Sequence, residues 1–254
     1  MNLCLTNLNV IVVGGTNGIG LAIVKGFLCE GAIVHLISRS RKENVVRELE
    51  NITKSSVFFY NCDVTDEQAL LHICHAIMEN AGQKIDIVIS NVGNGSGSQL
   101  AVGEANEWTD SWNINFNSAL NVTRIFSPEL IKAKGSLIFI SSIAGMEFVG
   151  APTSYSTAKS ALISFAKSLS HRLAPEVRVN VVSPGNIWIE GGTWDRKVQE
   201  NTEKVKNMLN ENVPLKRFGQ PNEISDLVLF LSSERAAFIT GGCFVIDGGQ
   251  TISF

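Results

Sequence analysis

Short apolar runs rich in β-branched residues alternate along the chain with longer segments of helical period. Seven of these runs are predicted to be strands: Val10–Val13, Ile33–Ile37, Val57–Asn61, Ile85–Ser90, Ser136–Ser141, Arg178–Ser183 and Cys243–Ile246. Helices are predicted between them at about 18–30, 41–51, 66–80, 104–130, 153–173, 197–210 and 221–232. Strands that alternate with helices pair in parallel, because each connection crosses back over a face of the sheet. We therefore expect an α/β fold with a doubly wound, seven-stranded parallel sheet and helices on both faces.

No linker, repeat or shift of composition divides the chain, so residues 1–254 are expected to form a single domain. The segment 186–214 differs from the rest because it is polar and charged and carries Trp188 and Trp194. Long insertions in compact domains are commonly functional, so this segment is predicted to be a lid over a substrate site. The alternative is a surface helix with a loose loop.

Composition argues against several classes of protein. A net charge of −3 offers no basic excess for binding nucleic acid or an anionic membrane. No segment approaches the ~20 apolar residues that a bilayer crossing requires, and the first residues lack the basic start of a signal peptide. The 5 cysteines are odd in number and form no C-x-x-C pair, which indicates a reduced, cytoplasmic compartment.

A glycine cluster joins the first predicted strand to the first predicted helix. It runs Gly14-Gly15-Thr16-Asn17-Gly18-Ile19-Gly20, with the spacing G-x-x-x-G-x-G. Glycines at such a turn let backbone N–H groups approach a pyrophosphate, whose negative charge the helix N-terminus then favours. The cluster predicts a dinucleotide site; the alternative is a tight strand–helix turn without a ligand.

The end of the second predicted strand is where such a site normally meets the adenosine ribose. An acidic residue there is typical of NAD, and a basic residue pairs with the 2′-phosphate of NADP. This chain has Ser38 followed by Arg39, with Ser40 and Arg41 beyond them and no acid. NADP(H) is therefore predicted in preference to NAD(H); the alternative is a solvated basic start to a helix. Asp63, after the third strand, is expected to meet the adenine edge or to cap the next helix.

Tyr155 and Lys159 are four residues apart on one predicted helix and therefore share a face. A tyrosine with a pKa of ~10 is a poor acid–base catalyst at neutral pH, and a neighbouring cation favours its phenolate. The pair is thus a physically sensible acid–base couple, although such pairs also occur by chance. Ser141-Ser142 ends a strand just upstream, and Asn115 lies on the preceding helical segment.

Together these motifs resemble the single-domain branch of the short-chain dehydrogenase/reductase family. The glycine cluster is similar to that family's cofactor loop, and the family's 13-residue step from serine to tyrosine selects Ser142. The other matching segments are Ser90-Asn91-Val92-Gly93, Ile140-Ser141-Ser142-Ile143-Ala144-Gly145, Asn180-Val181-Val182-Ser183-Pro184-Gly185 and Asp247-Gly248-Gly249. The resemblance runs from the first strand to the C-terminus and implies a single-domain Rossmann fold.

The resemblance also implies a role for each catalytic candidate. Tyr155 would exchange a proton with the substrate oxygen, and Lys159 would lower the pKa of Tyr155 and hold the nicotinamide ribose. Ser142 would hydrogen-bond the substrate oxygen, and Asn115 would hold a water molecule that connects Lys159 to solvent. Cofactor contacts are implied for Gly14, Thr16, Asn17, Gly18, Ile19, Gly20, Ser38, Arg39, Asp63, Val64, Asn91, Gly93, Tyr155, Lys159, Pro184, Gly185 and Ile187.

The chain departs from the family pattern in three segments. Val13 stands where threonine usually precedes the first glycine, and Ser90-Asn91-Val92 replaces Asn-Asn-Ala. Ile189 stands where a threonine commonly contacts the carboxamide of the cofactor, so a backbone group or Thr193 is expected to serve instead. None of these changes removes a proton-transferring group.

Other polar groups are interpreted as structural. His72, Cys74 and His75 have the chemistry of metal ligands, but helical geometry turns Cys74 away from the histidines, so no metal site is predicted. His35 lies inside the second strand and is expected to be structural. The segment Asn94–Ser98 follows a strand end, where it either borders a substrate site or is a flexible loop.

The helices also bear on assembly. Trp108 and Trp112 lie four apart and are expected to pack on a helical face, where members of the resembled family often dimerise. Small residues recur along the segment 155–172 and allow another helix to approach closely. These features predict a homotetramer, with a dimer as the second choice.

The function expected from these features is NADP(H)-dependent interconversion of a ketone or aldehyde with an alcohol. The chain is similar in general to 3-oxoacyl-carrier-protein reductases and related carbonyl reductases. A sugar or polyol dehydrogenase is the rival enzyme, because the polar lid and the Asn94–Ser98 segment suit a hydroxylated substrate. A non-catalytic nucleotide-sensing or scaffold protein on the same fold is the alternative from another class.

Overall fold

All seven predicted strands are present and form one sheet in the computed structural model, which describes residues 1–52 and 56–253. The strands are β1 (Asn9–Val13), β2 (Ile33–Ser38), β3 (Val57–Asn61), β4 (Ile87–Ser90), β5 (Ser136–Ile140), β6 (Arg178–Pro184) and β7 (Cys243–Ile246). They lie in the order β3-β2-β1-β4-β5-β6-β7, and every neighbouring pair is parallel. The predicted α/β fold of Rossmann type is confirmed.

Helices connect the strands and mostly follow the predicted boundaries. They are α1 (Gly18–Cys29), α2 (Glu43–Ile52), α3 (Glu67–Asn80), α4 (Ala105–Trp112), α5 (Ser118–Ala133), α6 (Thr153–Arg172), α7 (Thr193–Glu200), α8 (Thr202–Asn212) and α9 (Pro221–Ser232). Short 3₁₀ turns occupy Ile143–Gly145 and Glu234–Ala236. None of the helices in the described ranges is long and apolar enough to cross a membrane.

Two predicted helices need correction. The segment 197–210 is not one helix, because Asn201 leaves helical geometry and caps α8, its side-chain oxygen accepting from the backbone N–H of Lys204 at 2.9 Å. The segment 104–130 is continuous but contains a π-helical turn at Asn113–Asn117, between α4 and α5. Such turns are rare and occur frequently at functional sites.

The sheet is buried on both faces. In β1, Val10 and Val12 belong to the apolar cluster that contains α1, α2 and α9, whereas Ile11 and Val13 belong to the cluster with α3, α5 and α6. All four valine and isoleucine side chains are at most 1% exposed. Successive residues of a strand point to opposite faces, so a strand covered on both sides is apolar at nearly every position.

Helices α1 and α9 bring early and late parts of the chain together. The Ser225 hydroxyl donates to the Ala22 carbonyl oxygen at 3.1 Å, across 203 positions. A Cβ atom on Gly26 would lie 2.5 Å from the Ser225 hydroxyl oxygen, so glycine allows this close approach. Helix α9 thereby completes the face of the sheet on which α1 lies.

His35 has the structural role predicted for it. Its Nε2 lies 3.2 Å from the side-chain oxygen of Asn9 and must donate to it, because an amide oxygen only accepts. Its Nδ1 then accepts from the Tyr60 hydroxyl at 3.2 Å, and that hydroxyl accepts from the Asn80 amide at 2.9 Å. Burial lowers the pKa of His35 to about 4, so the ring is neutral at physiological pH.

The order of the sheet reverses between β1 and β4. The connection after β1 leads to β2 on one side, and the connection after β4 leads to β5 on the other. Connections that diverge in this way leave a crevice at the carboxyl ends of the two strands, which is the usual ligand site of open α/β sheets.

Candidate active site

A cleft of about 450 Å³ lies at the carboxyl ends of β1 to β4. Its lining comprises Val13, Gly14, Asn17, Gly18, Ile19, Ile37, Ser38, Arg39, Cys62, Asp63, Val64, Thr65, Asn91, Val92, Gly93, Ile114 and Ile189. Gly14 and Gly18 have φ angles of +78° and +50°, a backbone region that favours glycine. The turn that they shape places the N-terminus of α1, which favours an anion, beside the cleft.

Neighbouring side chains hold this glycine turn in place. The side-chain amide of Asn91 donates to the carbonyl oxygen of Gly14 at 2.9 Å. A Cβ atom on Gly20 would lie 2.1 Å from the same oxygen, so only glycine allows α1 to begin so close to the turn. The Thr16 hydroxyl lies 3.1 Å from the Ser38 hydroxyl and ties the turn to the end of β2. Gly20 and Thr16 thus support the cleft from outside its lining.

One end of the cleft carries Arg39 and Asp63. The guanidinium of Arg39 is 4.0 Å from one carboxylate oxygen of Asp63, and both side chains are well exposed. The other oxygen of Asp63 accepts from the backbone N–H and the hydroxyl of Thr65 at 3.0 and 2.8 Å. Burial raises the pKa of Asp63, but the Thr65 hydrogen bonds and the Arg39 charge outweigh it and hold that pKa below its usual value. Asp63 therefore stabilises the turn before α3, and the cap of that helix is Asp66.

Arg41 points its charge elsewhere. Its Nε donates to the Glu43 carboxylate at 2.8 Å, and its guanidinium lies 5.5 Å from the centre of the Phe59 ring. Arg41 is absent from the cleft lining, whereas Arg39 is part of it.

The two serines after β5 have different environments. Ser141 is buried, and its hydroxyl donates to the carbonyl oxygen of Lys159 at 3.0 Å, which joins the end of β5 to α6. Ser142 is only half-buried, and its hydroxyl accepts from the backbone N–H of Ala144 at 3.1 Å. Ser142 also hydrogen-bonds Tyr155. The predicted choice of Ser142 thus matches the serine that faces Tyr155.

Tyr155 has a pKa above its ordinary value. Burial of the side chain raises the pKa, and the hydrogen bond with Ser142 lowers it by less. The resemblance implied a shift in the opposite direction, caused by Lys159. In the structure the desolvation of the phenol is the larger effect.

Lys159 is 3% exposed, and its ammonium group points into the end of the sheet. It donates to the carbonyl oxygen of Ile140 at 3.0 Å and lies 3.5 Å from that of Val92. Burial lowers the pKa of Lys159 to about 8. A Cβ atom on Gly93 would lie 2.8 Å from this ammonium nitrogen and 3.1 Å from the Asn115 side-chain oxygen. Gly93 therefore lets Lys159 and Asn115 approach the rim of the cleft.

Asn115 lies in the π-helical turn and is fully buried. Its side-chain oxygen accepts from the backbone N–H of Asn94 at 2.9 Å, and its amide donates to the Asn94 carbonyl at 3.0 Å. The amide also donates to the Ser111 carbonyl at 2.9 Å. Asn115 thus holds the chain segment that follows β4.

The segment after β6 meets the cleft at one point. Gly185 donates its N–H to the Ile246 carbonyl at 3.0 Å, and Ile187 forms a parallel bridge with Gly219. Three predicted contacts, Pro184, Gly185 and Ile187, therefore lie outside the cleft lining. Ile189 does line it, and its terminal carbon would be 2.7 Å from a Cβ atom on Gly18. The lining residues that were not predicted adjoin predicted ones at the strand ends, except Ile114, which precedes Asn115, and Ile189.

Residues 186–214 contain the two largely exposed helices α7 and α8, and aromatic rings of this segment contact Phe218. The Phe218 ring lies 5.5 Å from Trp188 and 5.4 Å from Trp194, and the Lys197 ammonium lies 4.5 Å from the Trp194 ring. A second cavity, of about 420 Å³, separates α7 and α8 from Val149. Its lining is Val149, Trp194, Lys197, Glu200, Asn201, Lys204, Val205 and Met208.

The histidines and cysteine of α3 do not come together. Cys74 is buried in the core, whereas His72 and His75 are exposed. Within residues 1–52 and 56–253, no three metal-binding side chains form a group.

Comparisons with known proteins agree with this geometry. A family model described as enoyl-(acyl carrier protein) reductase matches residues 13–251. The chain is 33% identical over 255 residues to 3-oxoacyl-[acyl-carrier-protein] reductase FabG of Chlamydia muridarum, covering 98% of this chain and 100% of that one. L-sorbose reductase from Gluconobacter frateurii, solved with NADPH and L-sorbose, has a TM-score of 0.93 at 25% identity, with full coverage of both chains. A 7α-hydroxysteroid dehydrogenase solved with NADH has a TM-score of 0.89 at 26% identity, covering 99% of this chain and 98% of that one.

Proposed function

The chain belongs to the short-chain dehydrogenase/reductase family of oxidoreductases, which act on carbonyl and CH–OH groups, and on that premise we propose that it reduces a ketone or aldehyde with NADPH, Tyr155 serving as the proton donor. The observation that carries this proposal is that Ser142 hydrogen-bonds Tyr155, while Lys159 and Asn115 lie against Gly93, which lines the cleft.

The residues of the cleft fit an NADP(H) molecule. The glycine turn and the N-terminus of α1 would hold the pyrophosphate. Arg39 would pair with the 2′-phosphate, because its nearest carboxylate is 4.0 Å away and Ser38 brings no competing charge. Asp63 and Val64 would face the adenine, and Asn91, Gly93 and Lys159 the nicotinamide ribose. Pro184, Gly185 and Ile187 lie outside the cleft, so they would support the segment that carries Ile189, where a backbone group would replace the absent threonine.

The side chains of the site then divide the work of proton transfer. The nicotinamide, when bound, supplies the hydride. Ser142 donates a hydrogen bond to the carbonyl oxygen as negative charge develops on it, and Tyr155 gives that oxygen its proton. The raised pKa of Tyr155 keeps its phenol protonated at neutral pH, which suits reduction. The positive charge of Lys159 would stabilise the phenolate that forms on Tyr155, and Asn115 would hold a water molecule that connects Lys159 to solvent.

A sugar or polyol dehydrogenase is the second candidate. The cavity beneath α7 and α8 has Lys197, Glu200, Asn201 and Lys204 in its wall, groups that would hydrogen-bond hydroxyls. The similarity to a structure solved with L-sorbose supports the same choice. For both candidate functions, we propose that residues 186–214 form a lid over the substrate.

The direct test is NADPH and NADH oxidation by the purified protein against matched 3-oxoacyl thioesters, ketoses, diketones and quinones. Turnover of thioesters or simple ketones with NADPH supports the first candidate, and turnover confined to ketoses supports the second. No turnover with any carbonyl, together with tight nucleotide binding, would favour a nucleotide-sensing protein instead.

We further propose that the enzyme is a homotetramer located in the cytoplasm. Small, exposed residues recur along α6 at Ser160, Ser164 and Ser168, where a second helix can approach closely. The 5 cysteines are all free thiols, which supports a reduced compartment.

A further inference from the structure

The segment Asn94–Ser98 is held at both ends by side chains from one helical stretch. Asn115 binds both backbone groups of Asn94, as described above. At the other end, the Glu107 carboxylate accepts from the backbone N–H of Ser98 at 3.1 Å and from its hydroxyl at 2.8 Å. The same carboxylate accepts from the N–H of Glu104 at 3.0 Å. Three donors thus converge on one carboxylate, and the segment is fixed at two points.

Between these two anchors the segment passes over the catalytic tyrosine. A Cβ atom on Gly95 would lie 3.7 Å from Cζ of Tyr155 and 3.8 and 3.9 Å from its two Cε atoms. These are the ring atoms that carry and flank the hydroxyl. Gly97 lies against the start of α6, where a Cβ atom would be 3.0 Å from Pro152.

Glycine is not required at position 95 by the backbone. Its φ lies outside the left-handed region, and all three distances are ordinary van der Waals contacts. A side chain at this position would therefore be accommodated and would extend over the hydroxyl of Tyr155. The space that glycine leaves open is next to the atom that must meet the substrate oxygen.

We propose that Gly95 determines which substrates reach Tyr155, by leaving room for the second substituent of the carbonyl, and that Glu107 is the positioning residue that holds Gly95 there. This inference rests on the proposed carbonyl reduction. Gly95 does not line the cofactor cleft, whose lining ends at Gly93 along this segment, so cofactor binding is separable from the effect.

The first test compares a small and a bulky ketone of the same class in Gly95→Ala and Gly95→Leu. The leucine variant should lose ~10–200-fold in kcat/KM for the bulky ketone and far less for the small one, with alanine intermediate. The matched control is Ala101→Leu, because Ala101 is exposed and lies outside the segment Asn94–Ser98. Equal losses for both ketones in Gly95→Leu, or the same size discrimination in Ala101→Leu, would overturn the proposal.

The second test needs no substrate. The chain has 2 tyrosines, so in a Tyr60→Phe background the ultraviolet titration reports Tyr155 alone. Gly95→Leu should raise the titration midpoint by covering the phenol, and Glu107→Gln should lower it by loosening the cover. Glu107→Gln should also raise KM more than it lowers kcat, whereas Glu107→Asp should restore part of the loss.

The two proposals fail in different ways. If the unmodified enzyme reduces no carbonyl, the proposed function is contradicted. The titration of Tyr155 then tests, without any substrate, whether Gly95 lies over the phenol. Carbonyl reduction with a titration midpoint that neither Gly95→Leu nor Glu107→Gln changes contradicts the further inference alone.

Discussion

At the scale of single residues, the pKa values in the active site are determined by the removal of polar side chains from water. Lys159 is buried with carbonyl oxygens as its neighbours, and Tyr155 is half-buried and hydrogen-bonded to Ser142. Desolvation disfavours the charged form of each group, so it raises the pKa of Tyr155 and lowers that of Lys159 to about 8, which moves the two pKa values apart. Both groups therefore favour their neutral forms more strongly than they would in water.

Tyr155→Phe should abolish most of the turnover. The change removes the phenolic oxygen but keeps the ring, so packing and cofactor affinity should remain. We expect kcat to fall by ~10²–10⁴, the usual contribution of general acid catalysis. Steady-state kinetics and cofactor titration measure the two effects, and Tyr60→Phe, which alters the other tyrosine, is the matched control. Turnover near that of the unmodified enzyme would contradict the assignment of Tyr155.

The double substitution Ser38→Asp with Arg39→Leu should invert the cofactor preference. It removes the cation that would pair with the 2′-phosphate and adds a carboxylate that repels it. Charge-assisted hydrogen bonding of this kind corresponds to a roughly ten- to hundredfold preference for NADPH in the unmodified enzyme. The ratio of kcat/KM for NADPH and NADH measures it. Arg41→Leu is the control, because Arg41 is bound to Glu43 and stacks on Phe59. Equal use of NADH by the unmodified enzyme would show that Arg39 does not contact the cofactor.

At the scale of elements, strand and helix identity followed from the alternation of apolar runs, because burial on both faces leaves little other choice of residue. The breaks within helices did not follow from any pattern. The turn at Asn113–Asn117 has π-helical rather than α-helical hydrogen bonding, and its residue types give no signal that would predict this change. The separation of α7 from α8 depends on the conformation of one residue, Asn201.

Strand β2 carries a group that should make stability depend on pH. The folded-state pKa of His35 is about 4, against ~6.5 in an unfolded chain. The unfolded state therefore binds a proton first as the pH falls, and stability is lost between about pH 6.5 and 4, by at most about 3 kcal/mol. Urea unfolding at pH 7.5 and 5.5 should show this loss in the unmodified protein. His35→Gln should reduce the loss; an identical pH dependence in both proteins would contradict the neutral state of His35.

At the scale of the whole molecule, the sheet order determines which loops meet. Predicted strand ends at Gly14, Ser38, Asp63 and Asn91 line one cleft because parallel strands end at the same edge. The sequence positions of these strand ends could be predicted, and Asn94–Ser98 was expected either to border a substrate site or to be a flexible loop. The placement of Ile189 in the cleft wall and the anchoring of Asn94–Ser98 by Asn115 and Glu107 could not be predicted. Both depend on contacts between residues that are far apart in the chain, and local sequence patterns contain no information about such contacts.

The proposed tetramer is tested by sedimentation at micromolar concentration, where the mass should be about four times that of one chain. Ser164→Arg should reduce the assembly to smaller species, because a long charged side chain would stand where two copies of α6 approach. Asn51→Arg, on the exposed side of α2, should leave the mass unchanged. A monomeric mass for the unmodified protein would contradict the assembly, and a dimeric mass would favour the second choice.

The contact between α1 and α9 has a consequence for how the protein is made in the cell. The two helices meet across 203 positions, so at ribosomal speeds of 5–20 residues per second α1 emerges roughly 10–40 s before its partner. During that time the apolar side chains of α1 that α9 will cover lack their native neighbour on that face. Nascent chains of this protein should therefore associate with chaperones until late in translation. Ribosome-bound chains that end before α9 should be cleaved within α1 by a protease. Chains that extend well past α9 should resist cleavage at the same sites.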